Sequence, residues 1–571
     1  MTALSFGTTV LDAARTRFRL WAPALHEVDL EVDGQPALAM TACGDGWFET
    51  EAACGPGARY RYRLPNGLAV PDPASRAQAD DVHGPSLVVD PNRYAWRSTG
   101  WRGRPWRDCV LYELHAGLFG GFDGVKAALP RLAALGITAV ELMPVSDFSG
   151  TRNWGYDGVL PFAPDRAYGS PDQLKALIDA AHELQMMMFL DVVYNHFGPD
   201  GNYLTSYAPQ FFRDDLRTPW GPAIDFRRPQ VRRFFAENAL HWVQEYRFDG
   251  LRLDAVHAIS EPDWLDEMAA EVRSSVEPGR HVHLVLEHDG NEASHLRRDF
   301  TAQWNDDAHH ALHVLLTGER DGYYRDYIDA TRHLARCLKE GFAYQGDPSV
   351  HRDRQPRGTP SADLPPTKFV VFLQNHDQIG NRAFGDRLAS LVDREALEAA
   401  VALQLLAPSI PLIFMGEETF EERPFLFFTD FHGELATAVR EGRRDEFRHF
   451  AGFASAELSD PNARETFDRC RLPGVGDDGF YRTLLTLRHR MLAPKLDGAR
   501  ALDSQAIGPG AVFARWRLGD GSVLTIAANL ATEACDFTGP GAAPLYESRA
   551  GALSQSTLQA RSTVAFLTPP S

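Results

Sequence analysis

The segment that decides the fold runs from residue 110 to residue 193. It reads VLYEL (110–114), GVKAALPRLAALG (124–136), ITAVELMPV (137–145), PDQLKALIDAAHELQ (171–185) and MMMFLDVV (186–193). Apolar runs of strand length alternate here with stretches whose apolar residues recur every three or four positions, the pattern of successive βα units. It continues through PQVRRFFAENALHWVQEY (229–246), GLRLDAV (250–256), a helix over residues 264–276, HLVLE (283–287), a weak strand near Phe300, KFVVFLQ (368–374), REALEAAVALQLL (394–406) and IPLIFM (410–415). Eight strands, each followed by a helix, predict a closed parallel (β/α)8 TIM barrel whose functional residues gather at the C-terminal ends of the strands. The sixth strand is the weakest of the eight, and residues 309–367 read also as an insertion into the simple βα pattern.

The flanks follow a different pattern. RTRFRLWAP (15–23), EVDLEVDGQPALAM (27–40) and ARYRYRLPNG (58–67) alternate polar and apolar residues between DG and NG turn signals. They predict an N-terminal immunoglobulin-like β-sandwich over residues 1–95, closed by a Pro-, Asp- and Ser-rich stretch. The barrel with its insertions is placed at 96–494. Alternation returns in AVFARWRL (511–518), SVLTIAANL (522–530) and STVAFLTP (562–569), which predicts a C-terminal antiparallel β-domain over 495–571.

Composition narrows the chemistry. The 571 residues carry 58 Lys and Arg against 77 Asp and Glu, a formal charge of −19, the wrong sign for wrapping phosphate backbones or anionic lipid. No nucleic-acid or membrane partner is expected. Six cysteines lie far apart without a CxxC pair, which fits reduced thiols in a cytoplasm better than a zinc site or a stapled secreted fold. No basic segment followed by an apolar run opens the chain, so no signal peptide is expected.

Four polar clusters end predicted barrel strands: FLDVVYNH (Asp191, Asn195, His196), GLRLDAVH (Arg252, Asp254, His257), LVLEHD (Glu287, His288, Asp289) and FLQNHD (Asn375, His376, Asp377). Arg252 and Asp254 are two residues apart on a strand and therefore share a face. A cation beside a carboxylate favours the ionised form that a nucleophile needs. Glu287 ends an apolar run, where desolvation favours the protonated form that a general acid needs. Two carboxyl groups in opposite protonation states are the apparatus of glycoside hydrolysis. Asp377 adds a negative charge for an oxocarbenium-like transition state, and Asn195, His196, Asn375 and His376 offer hydrogen bonds to sugar hydroxyls. With no HExxH motif, neither a metal nor another cofactor is expected.

At these four segments the sequence resembles the α-amylase family of retaining glycoside hydrolases and transglycosidases, which carries DVVxNH, a GxRxDAxxH-like strand, a strand-end Glu and NHD in this order. The resemblance covers nearly the whole chain. It implies Asp254 as nucleophile, Glu287 as acid/base and Asp377 as transition-state stabiliser, supported by Asn195, His196, Arg252 and His376. WGYDGVLPFAPDRAYGSP (154–171) is similar to the family's segment after the second strand and makes Tyr156 a platform for the attacked sugar. Segments such as YELHAGLF (112–119) and PFLFFTDFHGELATAVREGRRDEF (424–447) resemble those members that act on maltooligosyltrehalose, an α-glucan oligosaccharide whose reducing end is capped as trehalose; branching and debranching members are the alternative. Trp220 and His257 are the candidates for contact with the trehalose end. Glu417 and Glu418 follow the eighth strand, either to contact the leaving disaccharide or to cap the next helix or hold Arg423.

Overall fold

The structure, a computed structural model, describes residues 4–447, 458–474 and 476–570. Near the N-terminus two antiparallel sheets face each other. One orders strands Gly7–Asp12, Arg15–Trp21, Trp47–Ala52 and Thr41–Gly44; the other is built around Asp29–Val32 and Arg59–Arg63. Phe18 of the first sheet meets Tyr60 of the second edge-on at 4.9 Å, so the alternating apolar residues of both sheets bury one another.

Eight parallel strands close into the predicted barrel. They are β1 (Leu111–Leu114), β2 (Ala139–Leu142), β3 (Met187–Val192), β4 (Gly250–Leu253), β5 (His283–Leu286), β6 (Ala302–Trp304), β7 (Phe369–Val371) and β8 (Ile410–Phe414). Helices α1 (Gly121–Leu135), α2 (Pro171–Glu183), α3 (Pro229–Leu240), α4 (Asp263–Ser275), α5 (Asp306–Thr317), α6 (Ala330–Glu340), α7 (Arg394–Leu406), α8 (Gly433–Phe447) and α9 (Gly479–Leu487) follow in chain order. Local chemistry sets their ends. Ser170 and Gln173 form a reciprocal capping box at α2, with Pro171 in the first turn, where its missing N–H costs nothing.

The weak sixth strand is real but only three residues long, just beyond Phe300. The β6–β7 connection holds α5, α6 and a small hairpin, Asp347–Pro348 with Pro356–Arg357, so residues 309–367 do carry an insertion. Inside the barrel, Leu111, Ala139, Phe189, Val285, Ala302, Val370 and Leu412 form an apolar cluster separate from the helix-facing core. Gly250 makes room for it, because a Cβ there would lie 2.1 Å from the Phe189 ring.

The chain ends in an antiparallel sheet containing Arg500–Gly508, Ala511–Arg517, Val523–Asn529 and Ser562–Thr568. It docks on the barrel helices: Trp516 Nε1 donates to the Leu338 carbonyl at 3.0 Å, and Thr563 Oγ1 to the Ala399 carbonyl at 2.8 Å. No helix among the described residues is long and apolar enough to cross a membrane.

Candidate active site

The two-residue period of a strand places Glu113, Glu141, Asp191 and Arg252 on the inward faces of β1 to β4, with Asp254 just past the end of β4, toward the C-terminal end of the apolar cluster. Arg252 is fully buried at the centre of this charged layer. Its Nη1 donates to Asp191 Oδ2 at 2.7 Å and to Asp254 Oδ1 at 2.8 Å, while Nη2 lies 3.7 Å from Glu287 Oε2. The guanidinium rests 4.2 Å over the Trp304 ring. One cation thus joins the ends of three strands, and the Arg-x-Asp pair shares a face as its spacing requires.

Asp254 is held from both sides. Asn195 Nδ2 donates to its free carboxylate oxygen, Oδ2, at 2.9 Å and to its carbonyl at 2.8 Å. The next residue, Ala255, has φ +39°, a left-handed conformation that a non-glycine residue adopts only under constraint. That turn aims the Ala255 N–H at Glu287 Oε2, 2.5 Å away. Burial drives the Glu287 carboxyl well above the ordinary range; Arg252 opposes the rise, and the charges of Asp254, Asp306 and Asp377 reinforce it. Burial likewise lifts Asp191 to about 6 against the pull of Arg252.

Asp377 follows β7 on a short helix, His376–Gly380. Burial would raise its carboxyl, but the neighbouring His376 more than offsets this and holds it below the ordinary value, with Nε2 3.4 Å from Oδ2. Asp254, Glu287 and Asp377 therefore occupy one end of the barrel, and the charges of Asp254 and Asp377 both favour the protonated form of Glu287.

The structure also brings Tyr156, Asn195, His196 and His376 to this end. Tyr156 donates to Asp191 Oδ2 at 2.5 Å and stacks on His376 at 5.0 Å. The ring nitrogens of His196 lie 2.5 Å from Asn195 Oδ1 and 2.9 Å from the Tyr156 carbonyl. Trp220, on the hairpin of strands Phe212–Thr218 and Gly221–Ile224, stacks on His196 at 5.0 Å and remains 47% exposed. His257 is exposed beyond β4, with Nδ1 3.5 Å from the Asp289 N–H. Asn375 spends its side-chain oxygen capping the helix of Asp377, accepting from Gln378 N at 3.0 Å.

Glu417 and Glu418 are buried and bonded internally. Glu418 accepts from the Tyr112 hydroxyl at 2.9 Å and the Gly416 N–H at 3.0 Å and pairs with Arg131 at 2.9 Å; Glu417 accepts from the Phe414 N–H at 3.2 Å. Both are occupied beneath β8 rather than with Arg423.

Sequence reasoning passed over Glu113, Glu141, Trp304 and Asp306. Glu113 and Glu141 sit inside apolar runs and were visible to the two-residue rule. Asp306 opens α5 just after the short β6, and burial with the nearby Asp289 charge lifts it to about 7. No group of three or more His, Cys, Asp and Glu among the described residues is arranged to hold a metal ion.

A (β/α)8 barrel carrying these carboxyl groups at its strand ends defines a glycoside hydrolase of the α-amylase class. Residues 88–215 match the alpha amylase catalytic domain, and residues 499–565 match a domain of unknown function, DUF3459. The malto-oligosyltrehalose trehalohydrolase of Deinococcus radiodurans is 42% identical over 496 residues, covering 84% of this chain and 82% of the relative. The chain belongs to the malto-oligosyltrehalose trehalohydrolase family. A Salmonella typhimurium protein provisionally called an alpha amylase has a crystal structure that superposes with a TM-score of 0.94 at 45% identity, covering 99% of this chain and 100% of that one. The 1,4-alpha-glucan branching enzyme GlgB of Vibrio parahaemolyticus, 36% identical, covers only 35% of this chain and 30% of its own length.

Proposed function

We propose that this protein hydrolyses the α-1,4-glucosidic bond adjoining the terminal trehalose of maltooligosyltrehalose, releasing trehalose and a maltooligosaccharide, with Asp254, Glu287 and Asp377 as its catalytic residues. The observation that carries the catalytic assignment is the pairing of two carboxyl groups around Arg252. Asp254 receives a guanidinium N–H at 2.8 Å and an amide N–H at 2.9 Å, whereas burial favours the protonated form of Glu287.

In the first step Glu287 gives its proton to the glucosidic oxygen as an Asp254 carboxylate oxygen attacks the anomeric carbon. The C1–O bond breaks, trehalose departs with the proton, and the maltooligosaccharide remains as a β-glycosyl ester of Asp254. In the second step the Glu287 carboxylate takes a proton from water, whose oxygen displaces Asp254, and two inversions restore the α configuration. The Asp377 anion offsets the positive charge that develops on the sugar in both steps. The two carboxyl groups supply proton transfer and the covalent link, so the scheme uses no cofactor. Tyr156 offers a ring face to the attacked sugar, and the exposed face of Trp220 offers another for the trehalose end. The six cysteines are all free thiols, which supports a reducing, cytoplasmic setting.

Incubation with maltotriosyltrehalose tests the reading. The expected products are trehalose and maltotriose, the latter appearing first as the α anomer by NMR. Intact substrate, together with a change in the iodine staining of amylose and no new reducing ends, would assign a branching activity instead.

A further inference from the structure

Glu113, on β1, reaches across the top of the barrel to the loop after β7. Its Oε1 is bound by His376 Nδ1, and its Oε2 accepts the His376 backbone N–H at 3.2 Å. One carboxylate thus fixes both the ring and the backbone of a single histidine, and both side chains are buried. The opposite ring nitrogen, Nε2, faces Asp377 Oδ2 at 3.4 Å. Tyr156 stacks on the imidazole at 5.0 Å and Trp154 meets it edge-on at 5.6 Å, so the ring has little room to turn.

We propose that Glu113 is a positioning residue for the reaction: acting through His376, it keeps an imidazolium against Asp377 and so fixes the third carboxylate of the site in place as an anion. The inference rests on the reading of Asp377 as the group that stabilises the transition state.

The geometry requires a cation between the two carboxylates. A neutral imidazole has one N–H; if Nδ1–H donates to Glu113, an unprotonated Nε2 is left 3.4 Å from the Asp377 oxygen, and two acceptors repel. Only the doubly protonated ring donates on both sides. The other titratable groups around His376 do not replace either carboxylate. Burial drives Glu141 on β2 well up, toward its neutral form, and lowers His115 to about 4. Asp191 is engaged by Arg252 and the Tyr156 hydroxyl. Glu113 and Asp377 are the charges in direct contact, and together they overcome burial to hold His376 well above the ordinary imidazole value. Among the described residues the only other side-chain hydrogen bond to Asp377 comes from Asn381 Nδ2, at 3.1 Å, and Asp377 is the most exposed of the three carboxylates. Its orientation therefore depends on His376, and that of His376 on Glu113.

Glu113→Gln separates charge from shape, because a glutamine oxygen can still accept the backbone N–H while its amide donates to Nδ1 of a neutral ring. The expected result is a fall in kcat of about 10–100-fold with little change in KM, as an electrostatic contribution to the transition state is lost. A further loss of kcat should also appear in the ordinary imidazole range, as His376 gives up its proton below the limb that Glu287 sets. Glu113→Asp should recover part of both. A Glu113→Gln enzyme with the wild-type pH profile and rate would overturn the proposal.

A second measurement does not depend on that variant folding. In histidine-labelled wild-type protein, with the signal assigned by its loss in His376→Gln, 15N NMR should find both ring nitrogens of His376 protonated at about pH 8; deprotonation near the ordinary value of about 6.5 would overturn the proposal. The titration uses protein without sugar, so its failure refutes the Glu113–His376–Asp377 link alone, whereas failure to release trehalose refutes the functional reading.

Discussion

Replacing Arg252 by Met, a side chain of similar length without charge, removes two charge-assisted hydrogen bonds, to Asp191 at 2.7 Å and to Asp254 at 2.8 Å. Each such bond contributes about 1.5–3 kcal/mol. Counting only the bond to Asp254, and assuming it is fully expressed in the transition state, the rate falls about 10- to 150-fold. The direction of the pH change follows from the same contacts. Arg252 opposes the rise that burial imposes on Asp191 and on Glu287, so its removal leaves burial unopposed and both groups bind protons more tightly. The basic limb of the pH profile then moves to higher pH, because the acid Glu287 keeps its proton longer. The loss should be deepest at acid pH and shallowest on the alkaline side. The assay is kcat/KM for trehalose release from maltotriosyltrehalose, from about pH 4 to about pH 9. Arg252→Lys, which keeps the charge but cannot bridge two carboxylates in one plane, should restore the position of the profile better than its height. A Met variant within twofold of wild type, or with an unmoved profile, would refute the claim that this guanidinium sets the charge of the site.

Glu287→Gln should lower turnover of maltotriosyltrehalose by about 10²- to 10⁴-fold, yet an α-maltosyl fluoride, whose leaving group needs no proton, should still release a burst of fluoride. Glu418→Gln takes the charge from a group that holds Tyr112, Gly416 and Arg131, and should cost about 3–5 kcal/mol of unfolding free energy in a urea titration without changing kcat per folded molecule. Glu141 is buried and neither of its oxygens has a hydrogen-bond partner among the described residues. Burial raises its folded pKa well above the unfolded value, so its contribution to stability is present below the unfolded pKa and declines as pH rises. Glu141→Leu has no such decline, and its gain in melting temperature over wild type should be larger at pH 8 than at pH 4; an equal gain at both would contradict the burial argument.

The parts of the site that were legible in the sequence are those in which a period coincides with a strand end. Arg252 and Asp254 are one strand period apart, and the apolar run before each cluster marks where its strand stops. The same rule applies within LYEL and AVEL, where Glu113 and Glu141 lie on the inward faces with Leu111 and Ala139. A carboxylate in the middle of an apolar run is easily read as an outward-facing residue, and only closure of the sheet turns that face into an interior. What the sequence could not convey is contact between segments far apart in the chain. Glu113 meets His376 across 263 positions, and Glu418 meets Tyr112 across 306. Local rules offer Glu418 the leaving disaccharide, a helix cap or Arg423, but the closing pair of strands, β8 against β1, sets its partners instead. The short β6 shows the complementary limit. Three residues hold too little periodicity to register, although β6 carries Trp304, the ring that supports Arg252. Its position is fixed by parallel pairing to β5 and β7 and not by local preference. Long-range closure therefore supplies the surroundings of the carboxylates, while strand period supplies the carboxylates themselves. Substitutions at Glu113 or Trp304 should accordingly disturb the charge and orientation of the site without removing any group that reacts.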